Sequence, residues 1–518
     1  MHSDHSATFS GTVNGTGIVE SMPLALGELK APERSQHQTI LCREDPFALT
    51  IIIGGTNVRF CISRPGNPEP LTFAVKWQEL SEKLAPQLES SNVLFGDAHN
   101  IVYPILAEQF IGFLKKHFDP TLGPLPIENL CALNFSIAGR VFGDERQLPG
   151  LKRPVHGIDA EVSTTNTGLK FSKEKIGRIF YDALKTVVPD LSFPPDKVLV
   201  LNDARAGLEG EKLLQELSPD SRVFFEICGT GDGSDYDEPG FDEIGHRTII
   251  DRKEKKVSVL AGDEINRLLE TDGTFQNLPS HQEYAENLLA GPWVAIRFVK
   301  SIEQKPEVMV ALANWIEARL LEDARKNPED LTKPILSAEE ILLALDKLAN
   351  LEFKDRTRWA IDSNSLLTRK INDLIFQPDH RAISRAMPCN YQVEPLEQTH
   401  PEKALILLAW ARQKTYFKDR GTIAGKVYRA MAVRGVQPDK YILGGGLGEM
   451  FNRYGAEDRQ DALDLIIEHA KLPAHIFDFS RVSPEARESA LSYQATDKAK
   501  EQKDALNAVS ASSIKLPH

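Results

Sequence analysis

Several marks of common protein classes are missing from this sequence. Its five cysteines, at positions 42, 61, 131, 228 and 389, include no Cys-x-x-Cys pair. That excludes a disulfide framework and a cysteine-rich zinc site, and predicts reduced, mostly buried thiols. The longest unbroken apolar run, Ala404 to Ala411, is far short of the ~20 residues needed to span a bilayer. The N-terminal MHSDHSATFSGTVNG has no basic start followed by an apolar core, so no secretory signal is expected. No Lys/Arg run is long enough to suggest a basic patch, and 61 basic against 74 acidic residues give a net charge of −13. Affinity for a phosphate backbone comes mainly from neutralising it with Lys and Arg, so a nucleic-acid partner is not expected. A membrane partner is not expected either, and the expected compartment is cytoplasmic.

What is present describes an ordinary globular chain. Of 518 residues, 41% are hydrophobic and 26% charged, which is neither disordered nor fibrous. The length exceeds one hydrophobic core and suggests two to four domains. Residues 1–45, rich in Ser, Thr, Gly and His, are expected to be a disordered leader. Short apolar runs then alternate with amphipathic stretches, the pattern of an α/β protein. Buried strands are predicted at Leu49–Ile53, Val198–Leu201, Val223–Cys228 and Tyr441–Leu443. Helices are predicted at Lys173–Val187, Tyr284–Ser301, Glu339–Leu348 and Lys403–Val433. The stretch 301–400 mixes charged helical segments with Pro306, Pro328, Pro334 and Pro388, and carries no legible chemistry.

Four segments place chemistry where a strand meets a turn. In Ile51-Ile52-Ile53-Gly54-Gly55-Thr56-Asn57, the glycines let backbone N–H groups approach an anion and Thr56 adds a hydroxyl. A plain hairpin would explain the same residues. Val198–Leu201 runs into Asn202-Asp203 and a helix. Strand ends of open α/β sheets are where ligands bind, although Asp203 could equally cap that helix. Gly229-Thr230-Gly231-Asp232-Gly233 is a second candidate phosphate cradle, followed by Glu243-Ile244-Gly245-His246. Gly444-Gly445-Gly446 ends a further strand, where a flat ring could lie on bare backbone, or where a loop merely turns.

The order of these segments resembles the hexokinase-like sugar kinases of the actin-like ATPase superfamily, closest to the bacterial glucokinase and ROK groups. The resemblance implies two actin-like (ribonuclease H-like) α/β lobes with a ligand cleft between them. It further implies an ATP-dependent hexose kinase. Gly54, Gly55, Thr56 and Asn57 would form the first phosphate motif, and Gly229, Thr230 and Gly231 the second. Gly444, Gly445 and Gly446 would hold the adenosine. Asp203 would be the catalytic base. Asn202, Asp203, Glu243 and His246 would grip the sugar, with Glu286 from Ala285-Glu286-Asn287-Leu288-Leu289-Ala290-Gly291-Pro292. ATP and Mg²⁺ are the implied cofactors, with no protein-held metal among the site residues and a homodimer left open. Asn134–Val141 and Thr165-Asn166 echo further pieces of the pattern in the right order. The implied division is a small lobe at 46–203, a large lobe at 204–482 with a helical insertion near 301–400, and a C-terminal helix and tail at 483–518.

Three departures bear on activity. The family has Asp before Ile-Gly-Gly-Thr, where it helps organise Mg²⁺; this chain has Ile52. Between Gly233 and Glu243 the usual hairpin is replaced by Ser234-Asp235-Tyr236-Asp237-Glu238-Pro239. With Asp232 these acids would form either a solvated acidic loop or substitute magnesium ligands. No zinc element of the ROK kind follows His246. The competing reading is therefore a catalytically impaired sugar- or nucleotide-binding protein on the same fold. A filament or chaperone ATPase would not need the Asn-Asp and Glu-Ile-Gly-His pairs.

Overall fold

Phe47–Ile53 (β1) is buried at every position, as a strand covered on both faces must be. It pairs antiparallel with Asn57–Arg64 (β2), which pairs antiparallel with Asn67–Lys76 (β3). On its other side β1 runs parallel to Leu130–Ile137 (β4), and β4 parallel to Val198–Asn202 (β5). The sheet order is thus β3-β2-β1-β4-β5, extended at the edge by Val155–His156 and Glu145–Arg146. The computed structural model describes residues 45–91, 93–117, 127–164, 167–218, 220–229, 232–237, 244–260, 281–326, 335–350, 364–377, 393–445, 451, 454–473 and 475–513. The N-terminal leader expected at 1–45 lies outside them except for Asp45.

The two faces of this sheet differ in chemistry. One presents Leu49, Ile51, Ile53, Phe60, Phe135 and Val200, packed under the helices Trp77–Ser91, His99–His117 and Ile176–Val187. The other presents Thr50, Asn134 and Ser136 among Ala48, Ile52 and Leu201, all buried. It is covered by the C-terminal helix Ala490–Ser513, whose Ser492 hydroxyl lies 2.6 Å from that of Thr50 and donates to the Asn134 side-chain oxygen at 2.8 Å. Small hydroxyl contacts of this kind stabilise by only about 1 kcal/mol each, well below a packed leucine.

A second sheet repeats the pattern one strand short. Val223–Cys228 (β6) pairs antiparallel with Asp232–Tyr236 (β7) and parallel with Lys440–Gly444 (β8), which runs parallel to Phe477–Phe479 (β9). The order β7-β6-β8-β9 matches β2-β1-β4-β5. This duplicated order is the two-lobe α/β architecture expected from the sequence. The long helix Pro401–Val433 packs with Gly291–Ile302, Pro306–Lys326, Ala338–Ala349 and Asn364–Ile375 into one core with β6 and β8 residues. The described helices between 301 and 400 share the second core. Pro306 opens a helix, a position where its missing N–H costs nothing.

Two expected helices differ. The first starts at Ile176 instead of Lys173, because Phe171–Glu174 is a strand. The second is broken: Glu286–Leu289 ends, Ala290 is extended, and Gly291-Pro292 begins a new helix. Among the described residues, no helix is long and apolar enough to cross a membrane.

Helix Asp203–Leu214 joins the halves, leaving β5 and packing on both β6 and β7. A Cβ at Gly233 of β7 would stand 3.9 Å from that of Ala204, so the start of this helix abuts the second hairpin.

Candidate functional site

The carboxyl ends of the strands set the site. Register aligns Ile53 of β1 with Ile137 of β4, and Ile137 with Asn202 of β5. Gly54, Ala138-Gly139 and Asp203 therefore leave the sheet side by side. The Ala138 N–H donates to Ile53 O at 3.2 Å, and Asn202 Nδ2 donates to Gly139 O at 2.9 Å. Asn202 Oδ1 meanwhile accepts the Arg205 N–H at 3.2 Å, capping the junction helix. One Asn thus fixes both the neighbouring turn and the helix that begins with Asp203. Asp203 Oδ1 accepts the Ala204 N–H at 2.9 Å, so its carboxylate is held at the helix start.

The first glycine turn is a tight hairpin. Gly54 N–H donates to Asn57 O at 3.0 Å, so this donor, expected to face a phosphate, closes the turn instead. The tip donors are then those of Gly55 and Thr56, with the Thr56 hydroxyl. Trp77, missed in the sequence, anchors the turn: its Nε1 donates to Gly54 O at 2.9 Å and its N–H to Thr56 O at 3.2 Å. A Cβ on Gly54 would meet nothing nearer than Asn57 O at 3.6 Å. The protein's own packing does not demand glycine there.

The second turn is built differently. Gly229 O accepts from Gly291 N–H at 2.8 Å, and Asn372 Nδ2 donates to Gly291 O at 2.9 Å. The helical region between 301 and 400 thereby holds the second turn, a role the sequence did not reveal. Beside it, Gly445 has φ +81°, and a Cβ there would lie 2.6 Å from Cys228 backbone atoms, so here glycine is obligatory. Gly444 pairs across to Ile227. Thr230, Gly231 and Gly446 lie outside the described residues, as do Thr165 and Asn166.

The acids after the second turn are neither a solvated loop nor open cation ligands. Asp232 and Asp235 lie in β7 and Asp237 just after it, all three buried, while Glu238 lies outside the described residues. Arg420 reaches Asp232 at 3.3 Å and also binds Glu226, which accepts from Tyr441 as well. Burial, with Glu226 and Glu286 adding repulsion, pushes the Asp232 carboxyl well above the usual range even against Arg420. Asp235 is bound by Arg153, with Arg205 at 3.5 Å, and Lys212 donates to Asp237 at 2.5 Å. Each carboxylate is matched to a cation from a distant part of the chain. Among the described residues, no group of three or more His, Cys, Asp or Glu side chains is placed to hold a metal.

Of the sugar-gripping residues, Glu286 is 1% exposed and near enough to Asp232 to repel it. Glu243 lies outside the described residues; His246 sits on helix Ile244–Arg247, its side chain outside them. Gly245 of that helix packs directly on the Asp232 backbone, which brings the start of helix Ile244–Arg247 against the second hairpin.

Arg59, at the end of the first motif, turns away from the glycine tip. Its Nη1 donates to Glu485 at 2.7 Å and its Nη2 stands 3.9 Å from Glu488. Burial raises the Glu488 carboxyl, although Arg59 and Arg487 pull the other way. Cys61 and Cys228 are buried free thiols and Cys131 a half-buried one, while Cys42 and Cys389 lie outside the described residues.

No family model matches the chain, and no curated protein matches it. Solved structures similar to it include a ROK family glucokinase from Streptomyces griseus in complex with glucose and AMPPNP. That structure is 15% identical, with 86% of this chain and 99% of that one covered and a TM-score of 0.39. Glucokinase from Balamuthia mandrillaris in complex with glucose is 15% identical over 87% of this chain and 94% of that one, at 0.40. A ROK family transcriptional regulator, a homologue of the E. coli MLC protein, is 13% identical over 88% and 79%, at 0.41. The fold follows from the duplicated strand order rather than from these alignments.

Proposed function

We propose that this chain is an ATP-dependent hexose kinase, moving the γ-phosphoryl group of ATP to a sugar hydroxyl, the 6-hydroxyl of a hexose. The observation that carries the reading is the common level of Gly54, Gly139 and Asn202-Asp203 at three parallel strand ends, with Ala204 against the second hairpin. Ligands of α/β sheets bind outside such ends. Asp203 accepts the hydroxyl proton as the sugar oxygen bonds to Pγ and the bond from Pγ to the bridging oxygen breaks, leaving ADP. Gly55 and Thr56 donate to the phosphates from one side, with Gly229, Thr230 and Gly231 opposite, and Gly444–Gly446 takes the adenosine. Asn202, Glu243, His246 and Glu286 hold the remaining hydroxyls, and a wrong sugar leaves such groups buried and unpaired. Nucleotide-bound Mg²⁺ supplies charge neutralisation on the transferring phosphates.

One observation favours a second reading, a binding protein without turnover. Position 52 is Ile, and Asp232, Asp235 and Asp237, which could have replaced its carboxylate, are already paired with Arg420, Arg153 and Lys212. The test is ADP release from Mg-ATP against a hexose panel, beside Asp203→Asn. Sugar-dependent release that disappears in the variant supports the kinase. Folded protein that binds sugar or nucleotide but releases no ADP with any hexose supports the binder.

A further inference from the structure

Two arginines of this chain show how a guanidinium group holds an oxyanion. Arg178 donates from Nε to Asp159 Oδ1 at 3.2 Å and from Nη2 to Asp159 Oδ2 at 2.8 Å. Arg146 grips Asp144 through the same two nitrogens, at 3.3 and 3.0 Å. These nitrogens share one edge of the planar group, and their parallel N–H bonds match two oxygens of a carboxylate or phosphate.

Arg412, on the long helix Pro401–Val433, presents the same edge to nothing. Its Nε and Nη2 are both buried and, among the described residues, neither has a hydrogen-bond partner. Arg412 as a whole is half-buried, so the edge lies close beneath the surface. Buried polar groups are as a rule satisfied, and a buried charge without a partner is costly. The surrounding acids are engaged elsewhere or out of reach. Glu283 gives Oε1 to Arg252 and Oε2 to Arg297. Asp419, two turns along the helix, attracts Arg412 but accepts from neither nitrogen.

The nearest influence of like sign is Arg297. Burial, with Arg297 adding repulsion, pushes the Arg412 guanidinium down to about 10, which still leaves it cationic at neutral pH. Arg297 spends Nε on Asn287 O at 3.0 Å and Nη2 on Glu283, and among the described residues its Nη1 makes no hydrogen bond. Two neighbouring guanidinium groups thus keep donors to spare.

We propose that Arg412, with Arg297 beside it, is a binding site for a small oxyanion, the carboxylate or phosphate group of a metabolite, gripped side-on by Arg412 Nε and Nη2. Neither arginine is among the residues given above to sugar or nucleotide, so the site stands whether or not the chain is a kinase.

The experiment titrates inorganic phosphate and, separately, acetate into the full chain in Tris chloride, with sodium chloride at matched ionic strength as control. Binding is read by calorimetry and by the rise in melting temperature. Phosphate or acetate raises the melting temperature of the wild type beyond the chloride control, and the stronger of the two identifies the group. Arg412→Met weakens that binding by about tenfold or more. Arg412→Lys, which keeps the charge but not the fork, does the same. Without oxyanion, Arg412→Met melts no lower than the wild type, because it removes a buried charge that has no partner. Wild-type protein that responds to neither anion beyond chloride overturns the proposal. Binding that Arg412→Met leaves unchanged also overturns it, by placing the anion elsewhere. An Arg412→Met protein that melts well below the wild type, or does not fold, overturns it too, since the guanidinium would then serve the fold.

Discussion

Arg153 and Asp235 form an ion pair between the two halves of the molecule. Arg153 belongs to the edge excursion of the first sheet and also donates to Tyr236 O at 2.8 Å; Asp235 is 3% exposed within β7. Burial raises the Asp235 carboxyl despite Arg153 and Arg205, so loss of either cation leaves a costly charge. Arg153→Met is expected to lower the unfolding free energy by about 1–3 kcal/mol. Adding Asp235→Asn should recover part of that loss in a denaturant double-mutant cycle. Strict additivity would show that the pair contributes no coupling.

Two glycines should respond oppositely to alanine. Gly54→Ala meets no close neighbour, so its melting should shift by less than about 1 kcal/mol, whereas AMPPNP affinity falls by about tenfold or more. Gly445→Ala must hold a side chain at φ +81° against the Cys228 backbone. A loss of about 2–4 kcal/mol in stability is expected. Thermal unfolding and calorimetry on the same two proteins separate the cases.

The raised carboxyl of Glu488 gives a signed pH dependence. A group whose folded pKa exceeds its unfolded value binds more protons when folded, so its stabilisation is complete below the unfolded value near 4.5 and fades as pH rises through the folded value. The stability of the wild type relative to Glu488→Gln should therefore be greatest below about pH 4.5 and decline above it. A difference independent of pH between 4 and 8 in urea titrations would contradict this.

The thiols of Cys61 and Cys228 are pushed up to about 12 by burial, which leaves almost no thiolate at neutral pH. Neither should react with a water-soluble disulfide reagent in native protein, and both should react in denaturant. Peptide mapping after labelling distinguishes them from the other three cysteines.

The strands were legible because unbroken apolar runs such as Val198–Leu201 have one reading once glycine or Asn-Asp follows. The broken helix at Ala290 was less so: the apolar period continues across it, and only Gly291-Pro292 marks the restart. The pairing of Asp232, Asp235 and Asp237 was not legible because their cations, Arg420, Arg153 and Lys212, come from three other segments. No local pattern announces such pairings. Trp77 and Asn372 escaped for the same reason, since each holds a turn away from it in sequence. The glycine turns were visible as sequence, but which N–H groups they leave for a ligand depends on the hairpin bond from Gly54 to Asn57.

The hydroxyl-lined face under Ala490–Ser513 also bears on how the chain is made. All five principal strands of the first sheet are complete by Asn202, yet the helix that covers Thr50 and Asn134 is synthesised long after them. Early domains fold while later ones are still being made, and exposed apolar surface at that stage invites aggregation. Thr50, Asn134 and Ser136 interrupt the apolar side chains Ile52 and Leu201 on this face, which lessens that hazard while the helix is still to come.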